Sequence, residues 1–198
     1  MSEPGRVVIL NGASSAGKTT LAERFRDLRA TEGDCWIIVG LDDFTAMLPW
    51  QWFDTPQVNG PQGQHGIRFE LSAEGLVLAV GAVGRRLFRV YRRSVATWAR
   101  AGFNVIVDEV AFSQEAVRDW ADALAGLTVT WVGVRCHPDV AEARERERGD
   151  RDPGLARGLT AVVHQFATYD FELDATTSIS EDLAVELSAL LDERRAVS

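Results

Sequence analysis

With 198 residues the chain suits one compact α/β domain and is short for two. Hydrophobic residues make up 46% and charged residues 25%, a profile that excludes a disordered chain. The 29 acids against 21 bases leave a net charge of −8, which argues against partners that need a basic face, nucleic acid and anionic membrane among them.

Taken in chain order, residues 6–11 read as a short buried strand, a β-branched run closed by glycine. Residues 19–30 follow as a helix, with Leu21, Phe25 and Leu28 on one stripe, and residues 35–39 form a second strand stopped by Gly40. The stretch 48–64, rich in Pro, Gly, Gln and Trp, has no clean period and is expected to be a long functional loop or lid. Trp50, Trp52 and Phe53 within it either line an apolar pocket or anchor the loop. Val83, Leu87, Val90, Tyr91, Val95 and Trp98 make a helical stripe, and Arg85, Arg86, Arg89, Arg92 and Arg93 punctuate its polar, solvated side. A third strand covers 103–107 and ends in Asp108-Glu109. A helix at 113–124, a strand at 128–134, a charged helix at 138–148, a helix at 155–166 and a strand at 171–174 follow. The last helix opens on a capping box, Ser178 with Glu181, and turns Leu183, Leu187, Leu190 and Leu191 inward. Strands apolar on both faces, alternating with helices, predict a parallel sheet covered on each side, with ligands along the carboxyl edge.

Of the 21 basic residues only one is a lysine, Lys18. An ammonium on a flexible stem is what a planar guanidinium cannot replace, and this one lies inside a G-x-x-x-x-G-K-[ST] pattern. The pattern, Gly12-Ala13-Ser14-Ser15-Ala16-Gly17-Lys18-Thr19, sits between a predicted strand and an amphipathic helix, as a Walker A phosphate loop requires. The loop N–H groups and the helix start, through Thr20, would wrap phosphate; Lys18 would bridge the β- and γ-phosphates of ATP, and the Thr19 hydroxyl would take a place on Mg²⁺. Asp108, ending an apolar strand, would hold the same Mg²⁺, a Walker B arrangement. Asp42, just past the second strand, is assigned the proton of an attacking hydroxyl, and its neighbour Asp43 a helix-capping role. Arg144, Arg148 and Arg151 bracket the break at Gly149. They read either as partners of Glu142, Glu145 and Glu147 or as a lid over the triphosphate; beside a phosphate loop the lid is favoured for Arg148 and Arg151, with Arg144 on the nucleotide. His65 and His137 lack metal-ligand spacing, and His164, near the far end of the lid, reads equally as structural.

With these residues in hand, the chain resembles the chloramphenicol phosphotransferase family, small phosphate-loop kinases that phosphorylate an antibiotic hydroxyl with ATP. The resemblance runs nearly end to end: Val8-Ile9-Leu10-Asn11-Gly12 with Ser14-Ser15-Ala16-Gly17-Lys18, Val39-Gly40-Leu41-Asp42, Ala99-Arg100-Ala101-Gly102 and Val105-Ile106-Val107-Asp108. It continues in Trp131-Val132-Gly133-Val134-Arg135-Cys136, Arg148-Gly149-Asp150-Arg151, Val162-Val163-His164 and Tyr169-Asp170. It implies a five-stranded parallel sheet of the nucleoside monophosphate kinase type and transfer to a primary alcohol, the 3-hydroxyl of chloramphenicol, conferring resistance. It also implies Asp42 as base and a lid from the 144–151 arginines. Residues 49–70 look longer and richer in Trp and Gln than that family suggests, and Glu109 stands where a second aspartate is expected.

The expectation is therefore a single kinase domain over 1–198, with an acceptor-binding insertion at about 43–98 and a lid at about 144–157. Its partner is a small-molecule hydroxyl substrate, not nucleic acid and not membrane. No apolar run approaches roughly 20 residues, and the start lacks a leader pattern. Cys35 and Cys136, each beside an apolar stretch, are expected to be buried and reduced in the cytoplasm. The last helix needs no dimer and permits a homo-oligomer. Two rivals remain: a metabolic kinase of a shikimate-, sugar-acid- or nucleoside-like acceptor, with Arg68 or Arg86 as its buried cation, and a low-turnover nucleotide-binding switch.

Overall fold

The computed structural model describes residues 3–73, 75–149 and 153–197. A central sheet contains β1 (Val7–Asn11), β2 (Trp36–Gly40), β6 (Asn104–Glu109), β7 (Val129–Arg135) and β8 (Phe171–Asp174). Its order is β2-β6-β1-β7-β8, and every pair is parallel. Because side chains alternate along β1, Val8 and Leu10 face one layer and Val7 and Ile9 the other. The first layer is α1 (Lys18–Thr31) and α7 (Ser180–Val197), whose Leu21, Phe25, Leu183 and Leu187 pack with Val8 and Leu10. The second is α3 (Ala82–Arg100) and α4 (Gln114–Ala123), whose Tyr91, Val95, Ala99 and Trp120 pack with Val7 and Ile9. Burial on both faces is why these strands read as continuous apolar runs.

Between β2 and α3 the expected loop at 48–64 carries short elements of its own, and strands follow it. A short helix α2 (Leu41–Thr45) leads to a 3₁₀ turn at Trp50–Trp52, then to β3 (Phe53–Asp54), β4 (Ile67–Leu71) and β5 (Leu76–Val80). These three strands form a second sheet, β3 parallel to β4 and β4 antiparallel to β5. The glycines that suggested a loop serve close packing: a Cβ on Gly66 would fall 2.0 Å from the Trp52 carbonyl oxygen. Trp50 is exposed, whereas Phe53 packs against the core and anchors the segment.

Three further expectations are corrected. The buried face of α3 is Phe88, Tyr91, Arg92, Val95 and Ala99, while Val90 is exposed, because α4 covers a side of the helix that periodicity alone leaves to solvent. Cys35 is exposed just before β2, and only Cys136 is a buried thiol, with burial pushing its pKa up. The helix after the 150s, α6 (Leu155–Val162), ends four residues early, and α7 begins at Ser180, two residues beyond the proposed cap. The charged helix α5 (Pro138–Arg148) and strand β8 match their expected bounds. Among the described residues no helix is long and apolar enough to cross a membrane.

Candidate active site

The loop from Gly12 to Gly17 leaves β1 at the carboxyl edge and enters α1. Its turn depends on left-handed backbone at Ser15 (φ 58°) and Gly17 (φ 96°). Gly12 is also sterically required, since a Cβ there would lie 2.6 Å from the Val134 carbonyl oxygen. Lys18 is 5% exposed; its ammonium donates to the Ala13 carbonyl at 2.8 Å and lies 3.4 Å from Asp108 Oδ1. The Thr19 hydroxyl donates to Asp108 Oδ2 at 2.5 Å. Parallel register brings Asp108 there, opposite Leu10 on one side and Gly40 on the other. Lys18, Thr19 and Asp108 thus meet at one point. Ser14 is half-buried and Thr20 exposed, while the Ser15 hydroxyl is buried without a hydrogen-bond partner.

Gly40 also places the other acid pair. Asp43 Oδ2 accepts from the Gly40 N–H at 2.7 Å, closing the first turn of α2 back on the strand, so Asp43 has the structural role. Asp42 is exposed on the same turn, two residues past the register partner of Asp108. Phe44, buried on that helix with Leu41, packs on Tyr91 with ring centroids 4.8 Å apart and seats the turn on α3. Glu109 points away from Asp108 into the core, where it accepts from the Trp120 indole N–H (2.6 Å) and the Val110 N–H (2.9 Å). Burial pushes its pKa up, with the Arg92 charge opposing.

The arginines separate. Arg144 turns inward and donates to the carbonyls of Ala175 (2.9 Å) and Ala16 (3.5 Å), bracing the phosphate loop against the turn after β8. Arg148 ends α5 on an exposed position, before Gly149 in left-handed backbone. Arg151 lies outside the described residues. The acids expected to compete for these arginines are partly engaged elsewhere. Glu142 pairs with Arg157, and buried Glu145 caps α6 through the N–H groups of Gly154 (2.8 Å) and Ala156 (2.7 Å). Arg92, expected in solvent, is 3% exposed beside Trp120 and Asp119. Arg68 is paired with Glu70 at 2.6 Å and Arg86 is exposed, so neither is the buried cation of an acidic-acceptor pocket.

On the β7–β8 side a groove of about 650 Å³ is lined by Arg135, Cys136, Thr160, His164, Glu172 and Thr176, among others. Arg135 and Glu172 form a two-pronged pair (2.8 and 3.0 Å) on one wall. His164 is held near the Tyr169 hydroxyl at 2.7 Å, with a pKa lowered to about 4 by burial first and by the charges of Arg135 and Lys18 after it, against Glu172. A histidine kept neutral in the folded state binds fewer protons than in the unfolded chain. Its contribution to stability is therefore fully present above pH 6.5 and is lost as pH falls towards about 4. Urea unfolding at pH 4.5 and 7.5 should show a smaller pH dependence in His164→Gln than in the natural chain. Equal slopes would remove His164 from the acid sensitivity.

The residue that motif reading passed over is Asn11, a buried polar residue at the end of an otherwise apolar strand. Its side chain bonds Val163, Tyr169 and Ala111, three segments that surround the loop.

The fold agrees with what the chain resembles. Among solved structures, the APS kinase of Mycobacterium tuberculosis, in complex with AMPPNP and APS, superposes with a TM-score of 0.64 at 17% identity, covering 96% of this chain and 99% of that one. Shikimate kinase from Acinetobacter baumannii, in complex with shikimate, gives 0.61 at 15% identity, over 97% and 94%. At that identity they establish the shared kinase fold. A protein of M. tuberculosis strain H37Rv, provisionally named an O-phosphotransferase, is 36% identical over 184 residues, 92% of this chain and 80% of its own length. The match to the chloramphenicol phosphotransferase-like family extends over residues 5–192, and the chain belongs to that family of phosphate-loop phosphotransferases.

Proposed function

We propose that the protein transfers the γ-phosphate of ATP, with Mg²⁺, to a hydroxyl of a small molecule, with chloramphenicol or a related amphipathic antibiotic as the acceptor to test first. The observation that carries this reading is the convergence of Lys18, Thr19 and Asp108 at adjacent strand ends, with Asp42 one turn beyond. The residues fit the ligands. Among the described residues, no backbone carbonyl accepts from the N–H groups of Ser14, Ser15 or Gly17, and the buried Ser15 hydroxyl is unpartnered. Unmatched donors around left-handed backbone form an anion-binding concavity. Thr19 and Asp108 supply the two oxygens that a Mg²⁺ shared with substrate phosphates asks of a protein.

In this mechanism Lys18 exchanges the Ala13 carbonyl for phosphate oxygens and contributes a point charge. Thr19 and Asp108 would hold the metal, which when bound there would supply positive charge against the transferred group. Asp42 accepts the proton of the attacking hydroxyl and orients it in line. Arg144 keeps the loop in shape from behind through the Ala16 carbonyl, while Arg148 and Arg151 close over the phosphates as a lid, 144–157. The whole of 1–198 is one kinase domain working in the cytoplasm. Its segment 43–98, with the second sheet and the Trp50–Phe53 corner, forms the acceptor side.

The test is to incubate the protein with ATP, Mg²⁺ and chloramphenicol and to look by mass spectrometry for a product heavier by one phosphoryl group. A product that vanishes in Lys18→Ala supports drug phosphorylation. No product with chloramphenicol, but transfer to another alcohol, would overturn the drug and keep the reaction. ATP binding without transfer to any alcohol in a broad panel would replace the kinase reading with a nucleotide-binding switch.

A further inference from the structure

Asn11 uses both amide donors and its carbonyl oxygen. Nδ2 donates to the Val163 carbonyl at 2.9 Å and to the Tyr169 hydroxyl oxygen at 2.7 Å, and Oδ1 accepts from the Ala111 N–H at 2.7 Å. The orientation of the amide follows, because a backbone N–H only donates and a carbonyl only accepts. The network continues from the Tyr169 hydroxyl to His164 Nδ1, 2.7 Å away. The Tyr169 ring that carries it is wedged over Gly133, where a Cβ would fall 2.8 Å away.

The partners lie far apart in sequence and close around the reaction centre. Gly12, the first residue of the phosphate loop, follows Asn11 directly. Ala111 is three residues past Asp108, on the segment into α4. Val163 closes α6, the returning arm of the α5–α6 hairpin, whose other end Glu145 holds. An apolar patch supports the same junction: Ala13 of the loop packs with Leu155, Leu159 and Val163, and with Val110 and Phe112. That patch is non-directional and permits sliding, whereas three hydrogen bonds to one buried side chain do not.

We infer that Asn11 is a positioning residue, which pins the 110–112 segment and the base of the α5–α6 hairpin to the strand that launches the phosphate loop. It thereby holds the acid at 108, the loop and α6 in one mutual geometry, and it touches no substrate itself. The inference rests on the phosphotransferase reading for its kinetic consequence but not for its structural one.

Two variants test it, Asn11→Leu, which keeps the branched skeleton and removes all three bonds, and Tyr169→Phe, which keeps the ring and removes the hydroxyl between Asn11 and His164. Misplacement of about 1 Å costs on the order of 10²-fold in rate. Asn11→Leu should therefore lower kcat by about 10²-fold and Tyr169→Phe by about 10-fold, with the AMPPNP dissociation constant within about threefold of the natural protein. Amide hydrogen exchange gives the second readout. In Asn11→Leu the Ala111 amide and the amides of α6 should lose protection together, while those of α1 keep it. Unchanged kcat in both variants, or protection lost at Ala111 without loss in α6, would overturn the inference. If the natural protein transfers no phosphate to any acceptor, the coupled exchange still decides the role of Asn11, and the phosphotransferase reading alone fails. If Asn11→Leu does not fold by circular dichroism, Tyr169→Phe decides by the same measurements.

Discussion

Asp42→Asn is expected to lower kcat by about 10²–10⁴ while ATP affinity stays near that of the natural protein. The amide preserves the shape of the side chain and removes the basic lone pair that takes the hydroxyl proton. In the proposed mechanism nucleotide affinity rests on the loop, Lys18 and Thr19. Asp43 closes the turn of α2 on the Gly40 N–H. Asp43→Asn should accordingly cost stability before rate, the opposite pattern. Steady-state kinetics with the acceptor identified by mass spectrometry, together with AMPPNP titration, separate the two. An Asp42→Asn enzyme with full kcat would remove the base from the mechanism.

Trp120→Ala is expected to be the most damaging core change, at about 3–5 kcal/mol of stability. Trp120 is fully buried, meets Tyr91 edge-on at 5.3 Å, lies 5.6 Å from the Arg92 guanidinium and donates to Glu109 at 2.6 Å. Truncation leaves a cavity and strips a buried carboxylate of a donor at once. Trp120→Phe separates these contributions: the ring against Tyr91 is kept, and losing the indole donor alone should cost about 1–3 kcal/mol. Denaturant midpoints at unchanged slope measure both. A Trp120→Phe protein as stable as the natural one would show that the Glu109 bond contributes nothing.

The features legible in the sequence are those whose causes are local. A glycine-flanked loop between a β-branched strand and an amphipathic helix identifies itself within eight residues, and Lys18 stands out because every other cation is arginine. An apolar strand ending in Asp108 is equally local, as is the parallel sheet, whose strands must be apolar when both faces are covered. The α5 helix, bounded by His137-Pro138 and Gly149, was readable to the residue for the same reason.

What tertiary structure decided are partnerships between distant residues. Register, set by packing on both faces of the sheet, put Asp108 opposite Leu10 and Gly40, and so against Thr19 rather than merely near it. Arg92 reads as solvated along its own helix and is buried because α4 lies across it; Arg144 reads as a nucleotide contact, and only the fold shows that it donates to the carbonyls of Ala16 and Ala175. The three-stranded sheet of 53–80 was invisible because its strands are short, half-buried and interrupted by glycines needed for close approach rather than for turning. Asn11 belongs to the same class. A sequence can show that a polar residue ends a buried strand, but only the fold supplies the two acceptors and one donor that make its burial favourable.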